Sequence, residues 1–288
     1  MKGIILAGGE GSRLHPLTLS VSKQLLPVFD KPLIYYPLST LMSANIRDIL
    51  CITTSNELEN FKKLLGNGNK WGVNITYKIQ DKPNGIAEAF IIGEDFINND
   101  SVALILGDNI FYGIKLEELL LKNTQDFEGA KIFVYKVNNP SRYGVVEIKN
   151  KIVVSIEEKP KLPKSSLVAT GLYFYDKKVV EIAKKIKPSY RNELEITDVN
   201  QAYLSNSFLK AALLDQGTVW LDAGTTDSLL HAAQFVQIIQ ERQKIQIGCP
   251  EEIAWKKKWI NDNDLEIIIA NYPNNFYGQY LKNLILNK

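Results

Sequence analysis

From residue 2 to about 125, short β-branched apolar runs alternate with longer amphipathic stretches. The runs at 3–7, 48–54, 74–79 and 102–106 predict strands, and the stretches at about 33–45, 56–65, 84–96 and 115–123 predict helices. This rhythm argues for a mostly parallel sheet with helices on both faces. Pro37 fits the first of these helices only if it falls in the first turn. Further along, strand-like stretches at 130–137, 144–148, 152–157 and 168–175 follow one another with little helical material between them. Helical patterns return near 177–186 and 195–205, with a long one near 226–243. Three short helical patterns and the apolar-rich tail Tyr280, Leu281, Leu284, Ile285 end the chain. The expected organisation is an α/β domain over 1–240, with halves of about 1–125 and 126–240, and a helical extension at 241–288.

Composition narrows the function. With 45% hydrophobic residues in 288, the chain can bury a sizeable core. A formal net charge of +2 leaves no broad basic surface to neutralise a nucleic-acid backbone, so no nucleic-acid partner is expected. Cys51 and Cys249 are isolated, which fits a reducing compartment, and Cys51 lies in an apolar run that predicts an inert thiol. His15 and His231 are equally solitary, so neighbours cannot assemble a zinc-type cluster. The apolar N-terminal run is too short for a signal peptide, and no stretch approaches a membrane span. A cytoplasmic protein with no membrane partner is expected.

The candidate chemistry begins directly after the first strand, at Gly8-Gly9-Glu10-Gly11-Ser12-Arg13. Glycines let backbone N–H groups approach a phosphate closely, and Arg13 adds a forked donor. Alone, such a turn is structural as often as functional. Spacing excludes two familiar phosphate loops: a dinucleotide fingerprint needs glycine where Leu14 stands, and a P-loop needs Gly-Lys-Ser/Thr where Arg13-Leu14-His15 follows Ser12. Lys23 supplies a second cation ten residues later.

Two aspartates follow apolar runs. Val102–Leu106 ends in Gly107-Asp108-Asn109, and Val219-Trp220-Leu221 ends in Asp222-Ala223-Gly224-Thr225. Either could be local structure, the first a turn and the second the approach to a helix capped by Thr225 or Thr226. Together, at strand ends, they would supply the two carboxylates that Mg²⁺ takes alongside phosphates and water. Glu157-Glu158-Lys159-Pro160 closes another strand, where regular alternation places Glu158 and Lys159 on opposite faces.

These segments, in this order, resemble sugar-nucleotide pyrophosphorylases, and among them the thymidylyltransferases. The likeness spans residues 3 to about 280 and rests on GGEGSRLHPLT, SKQLLPV, GDNIFYG, EEKP and WLDAGT. Further matches are RYGVV at 142–146, ATGLY at 169–173 and ELEITD at 193–198, the last with no single role. The resemblance implies a Rossmann-like three-layer α/β/α nucleotidyltransferase fold with a mixed, mostly parallel central sheet. It implies that Gly8, Gly9, Gly11, Ser12, Arg13 and Gln24 hold the triphosphate, with Arg13 and Lys23 as catalytic cations. Gln80, Pro83 and Gly85 fall in the segment that reads base and ribose, and Asp108 and Asp222 in the Mg²⁺ positions. Tyr143, Gly144, Glu158, Lys159 and Thr170 fall in the sugar-phosphate segments. The chain departs from the pattern at Glu88, where glutamine is usual, and at Ala223, where threonine is.

The implied reaction joins dTTP to glucose 1-phosphate, giving dTDP-glucose and pyrophosphate, the first step of dTDP-rhamnose-type deoxysugar synthesis. The alternatives are a relative using UTP or another triphosphate or hexose 1-phosphate, or a non-catalytic nucleotide-sugar sensor. The resemblance also implies a homotetramer with a regulatory site for a dTDP-sugar. Trp255, Trp259 and Tyr280 are candidates for that interface, or for a cover over the sheet.

Overall fold

A computed structural model describes residues 1–125, 128–272 and 275–287. The first half follows the expected rhythm. Strand β1 (Lys2–Leu6) leads through a minimal hairpin, β2 (Pro27–Val28) and β3 (Lys31–Pro32), to helix α1 (Tyr35–Ser43). Then come β4 (Asp48–Thr53), α2 (Leu58–Leu65), β5 (Asn74–Ile79), α3 (Glu88–Ile92), α4 (Glu94–Ile97) and β6 (Val102–Leu106). Pro37 does sit in the first turn of α1. The expected helix at 84–96 is instead two short ones, divided at Gly93, whose added Cβ would meet Ala89 O at 2.9 Å.

Next come β7 (Asn109–Tyr112), α5 (Leu116–Thr124) and β8 (Ala130–Lys136). Strands β9 (Gly144–Lys149), β10 (Ile152–Glu158) and β11 (Leu167–Tyr175) precede α6 (Val179–Ala183) and α7 (Ile196–Ser205). After β12 (Leu209–Leu213) and β13 (Val219–Asp222), the long α8 (Thr226–Gln243) leads to α9 (Pro250–Lys256), α10 (Asp262–Ile269) and α11 (Phe276–Leu286). Thr225 caps α8 through a reciprocal capping box with Ser228.

The nine-stranded sheet runs β10-β9-β11-β6-β1-β4-β5, with β8 on β11 and β12 on β8. It is mixed. Parallel pairing joins β6, β1, β4 and β5 and returns at β12–β8, while β11 runs antiparallel to β6, β8 and β9. Alternate side chains of the buried strands feed two cores, one on each face. Ile5, Cys51, Ile105 and Phe174 point into one, and Ile4, Leu50, Leu104 and Tyr175 into the other.

The C-terminal helices continue the first core: Ala254, Leu265 and Leu281 are buried in it, and Trp255, Trp259 and Tyr280 pack against it. Within the chain these aromatics therefore cover the helical layer. Cys51 and Cys249 are free and buried, and burial pushes the Cys51 thiol up to about 12. Among the described residues, no helix is long and apolar enough to cross a membrane.

Leu104 is fully buried in the strand between β1 and β11. Leu104→Ala should lower unfolding free energy by about 2–5 kcal/mol, read from the urea midpoint at unchanged slope.

Candidate active site

Four parallel strands end at one edge of the sheet, and each delivers part of the site. β1 leads into Ala7, whose N–H donates to Ile52 O at 2.7 Å, and then into the glycine loop. Gly9 and Gly11 take φ of 97° and 62°, so the chain turns where a side chain would strain it. Thr18 Oγ1 donates to Gly11 O at 2.8 Å and bonds His15 Nδ1 at 2.9 Å, bracing the loop from below. Ser12 and Arg13 are exposed in the turn that follows. Gln24 is buried behind the loop: a Cβ on Gly107 would lie 2.8 Å from its Cγ. β5 ends at Gln80, whose N–H donates to Thr53 O at 2.7 Å, and Pro83 is exposed in the loop beyond.

Gly107 and Asp108 directly follow the end of β6. Asp222 is not on the main sheet. It lies on β13, which pairs antiparallel with β7 in a two-stranded ladder that sets Asp222 opposite Asn109. Ala223 N–H also donates to Asp108 O at 3.0 Å, so backbone bonds bring the two aspartates together. Asn109 is the brace. Its Nδ2 donates to Asp108 Oδ1 at 2.8 Å, while its Oδ1 accepts from Gly171 N–H at 3.0 Å and Trp220 Nε1 at 2.6 Å.

The electrostatics follow from this geometry. Burial opposes ionisation of Asp108, but the Lys23 ammonium, paired with it, and hydrogen bonds from Lys23 and Asn109 outweigh burial and hold the carboxyl below its ordinary value. Asp222 goes the other way. Burial, then the charge of Asp108, push it up to about 6 against the pull of Lys23, Arg13 and Arg142. Arg13 stands close by: a Cβ on Gly224 would lie 3.0 Å from both Arg13 Nη2 and Asp222 Oδ1. Tyr143, its ring 5.2 Å from that of Trp220, has its phenol raised by burial and then by Asp222.

A second cluster lies at the ends of β9 and β10, where Gly144 and Glu158 are paired. A Cβ on Gly144 would meet Thr197 Oγ1 at 3.3 Å and Glu158 Oε2 at 3.5 Å, so its bare Cα leaves room above the carboxylate. Thr197 donates to Glu158 Oε2 at 2.5 Å. Lys159 takes φ 43°, which ends the strand alternation and brings its Nζ to 3.4 Å from Glu158 Oε1. That left-handed residue answers how adjacent side chains share one side. Arg191 Nη2 lies 3.7 Å from Glu158 Oε1 and 2.8 Å from Glu195 Oε2.

Thr170 follows Ala169, whose Cβ would lie 4.0 Å from a Cβ on Gly144. It is buried, with its hydroxyl donating to Phe133 O at 2.9 Å, so it ties β11 to β8 where the register of that pair shifts. Its hydroxyl hydrogen is thus engaged within the sheet. Gly85, at φ 106°, packs so closely on the backbone of Leu194 that an added Cβ would collide with both its N and its O. Leu194 N–H donates to Asn84 O at 2.6 Å and Ala87 N–H to Leu194 O at 3.0 Å, joining the Gln80 loop to the Arg191 segment.

A glycine loop, two adjoining aspartates and a separate cationic cluster, all at one sheet edge, agree with the family comparison: a profile described as nucleotidyl transferase matches residues 2–238. The chain belongs to the nucleotidyl transferase family. The glucose-1-phosphate thymidylyltransferase of Neisseria meningitidis serogroup A is 54% identical over 286 residues, covering 99% of each chain. That of Mycobacterium tuberculosis H37Rv is 53% identical over 286 residues, again 99% of each. A Bacillus anthracis crystal structure with sucrose, described as a glucose-1-phosphate thymidylyltransferase, is 46% identical at TM-score 0.75, covering 82% of this chain and 94% of that one. A UDP-glucose pyrophosphorylase structure, 24% identical at TM-score 0.72 over 85% of this chain and 99% of that one, shares the fold.

In this nucleotidyl transferase the sequence reading passed over Asn109, Gly171, Arg191 and Thr197. Asn109, Gly171 and Thr197 lie within GDNIFYG, ATGLY and ELEITD, and Arg191 flanks the last, but the motifs give none of them a role. Asp222 also supplies a test. Its folded pKa of about 6 exceeds its ordinary 3.8, so the folded state binds the proton more tightly and loses stability as pH rises through that window. With chelator present, Asp222→Asn should be more stable than wild type by roughly 1–3 kcal/mol at neutral pH. The difference should fade as pH falls towards about 4, read by urea melts across pH.

Proposed function

We propose that this enzyme transfers the thymidylyl group of dTTP to glucose 1-phosphate, giving dTDP-glucose and pyrophosphate, as the first step towards dTDP-rhamnose-type deoxysugars. The observation that carries this reading is the Asp108–Asp222 pair, with Lys23 paired to the first and Arg13 acting on the second, alongside a separate cationic cluster of Lys159 and Arg191 on Glu158. The near-full-length identity to thymidylyltransferases supports the choice of substrates.

A hexose 1-phosphate is largely dianionic at neutral pH, its second pKa being near 6, so its oxygen attacks the α-phosphorus without a protein nucleophile. Pyrophosphate leaves in line, and the protein supplies position and charge. The Gly8–Ser12 backbone cradles the triphosphate, and Arg13 and Lys23 meet the charge growing on the leaving pyrophosphate. Lys159, with Arg191 beside it, draws in the sugar phosphate, while Glu158 accepts from sugar hydroxyls under the bare Gly144. Gln24 braces the turn that carries Asp108. Burial, and after it the charge of Asp108, raises Asp222, a penalty that a divalent cation would relieve, and hard carboxylates suit Mg²⁺. Asp108 and Asp222 would hold that ion, which when bound neutralises charge on the transferring phosphoryl group. Among the described residues no third histidine, cysteine or carboxylate joins them, which fits an ion completed by phosphates and water.

Pyrophosphate release with glucose 1-phosphate and Mg²⁺ should be fastest with dTTP among dTTP, UTP, ATP, CTP and GTP. Asp108→Asn should lower kcat by at least about a thousandfold while the protein stays folded. Activity retained by Asp108→Asn at saturating Mg²⁺ removes that residue from the metal role.

We further propose a homotetramer with a regulatory site for a dTDP-sugar. Tyr36, Tyr112, Gln246, Lys256 and Lys257 line a cavity of about 310 Å³ between α1, the start of α5 and α9. Its lysines Lys256 and Lys257 pair with Glu252 and Glu117 on the same lining, and this cavity is the candidate place for a dTDP-sugar, while α8 leaves Leu230 and Ile238 exposed for a neighbouring subunit. Light scattering at micromolar concentration should give a mass about four times 32.5 kDa. A monomer mass overturns the tetramer.

A further inference from the structure

Gln80 is buried at the end of β5, and both hydrogens of its amide are engaged. Its Nε2 donates to Glu88 Oε2 at 2.6 Å and to Gly85 O at 3.2 Å. Glu88 in turn accepts from Asn84 Nδ2 at 2.8 Å through its other oxygen. A carboxylate and a carbonyl only accept, so the NH₂ of Gln80 must face them and its Oε1 must face away. Among the described residues no donor reaches Oε1. That oxygen opens onto the glycine loop, where a Cβ on Gly8 would lie 3.1 Å from it. Under the proposed function the reacting phosphate would lie by Asp108, on the β6 side of β1, and a triphosphate following the loop would extend its base towards β4 and β5, the side on which Gln80 stands.

We infer that Glu88 fixes the hydrogen-bonding polarity of Gln80, so that the site presents a bare acceptor to the base and selects a pyrimidine with a protonated N3. Thymine and uracil carry that N–H, whereas cytosine offers a lone pair at N3, which the Gln80 oxygen repels. Glu88 is a positioning residue here, acting only through Gln80. With glutamine at 88 and asparagine at 84, the side-chain members of the chain all both donate and accept, and only the longer 3.2 Å bond to Gly85 O still favours the original orientation of the Gln80 amide. With aspartate at 84 and glutamine at 88, an acceptor-only end returns. The carboxylate at 84 then takes the NH₂ of the side chain at 88, and the amide oxygen at 88 again takes the NH₂ of Gln80. The inference rests on the nucleotide reading above, but concerns the base alone.

Calorimetric titration of dTTP and dCTP with Mg²⁺ and no sugar phosphate isolates the base from turnover. Wild type should bind dTTP at least about a hundredfold tighter than dCTP. Glu88→Gln should shrink that ratio by about tenfold, and Gln80→Ala should erase it. The Asn84→Asp, Glu88→Gln double variant should recover the wild-type ratio to within about threefold, a non-additivity that general loosening of the loop cannot produce. A ratio unmoved within about twofold in Glu88→Gln, or a folded double variant no better than the single one, overturns the inference. Formation of dTDP-glucose by the same wild-type sample is scored separately. Its absence alongside the stated binding ratios sinks the reaction and leaves the base selection standing.

Discussion

Two carboxylates in one half-dry cleft repel each other, and burial raises the charge penalty on both. Asp108 and Asp222 stand together because the surrounding chain compensates them unequally. Asp108 receives the Lys23 ammonium and the Asn109 amide directly, while Asp222 receives the more distant fields of Arg13, Lys23 and Arg142. One carboxylate is therefore held firmly charged, and the other is the most readily protonated of the pair. Much of the architecture serves this inequality. The phosphate loop brings Arg13 across to Gly224, and the segment after it returns Lys23 beneath the end of β6.

Backbone pairing does the positioning. The main sheet delivers Asp108 at the carboxyl edge of a central strand, but Asp222 arrives from a separate ladder clamped by β7. Displacing β13 by one residue would turn Asp222 to the opposite face, because side chains alternate. The bond from Ala223 N–H to Asp108 O fixes the ladder's end at the required place. Ala223, where threonine is usual, is buried beside Asp222 and contributes that backbone bond, so the departure leaves the geometry intact.

Much of this was legible in the sequence. The strands at β1, β4, β5 and β6 stood out because both their faces are buried, giving unbroken apolar runs bounded by turns. Asp108 followed from such a run. What stayed hidden depends on pairing across distance. The β7–β13 ladder is two four-residue strands about 110 positions apart, and nothing local in either names its partner. Glu158 and Lys159 read as opposed because alternation holds until one left-handed residue breaks it, and lysine gives no sign of doing so. Thr170 was legible by motif, but the bond from its hydroxyl to Phe133 O was not, since it joins two strands far apart in the chain. The Glu88 departure was visible as a letter. Its meaning required Gln80 and Asn84 to be seen on either side of it.

The contact between Gly171 and Asn109 has a consequence for how this chain can diverge. A Cβ at 171 would lie 2.5 Å from Asn109 Oδ1, inside any tolerable separation, and Asn109 in turn carries bonds to Asp108 and Trp220. Neither position can be altered while the other stays as it is. A larger residue at 171 expels the asparagine, and a smaller residue at 109 strands the indole and a main-chain N–H. Drift at these two sites must therefore be simultaneous, which makes the pair a barrier between neighbouring sequences even though neither residue need touch a substrate.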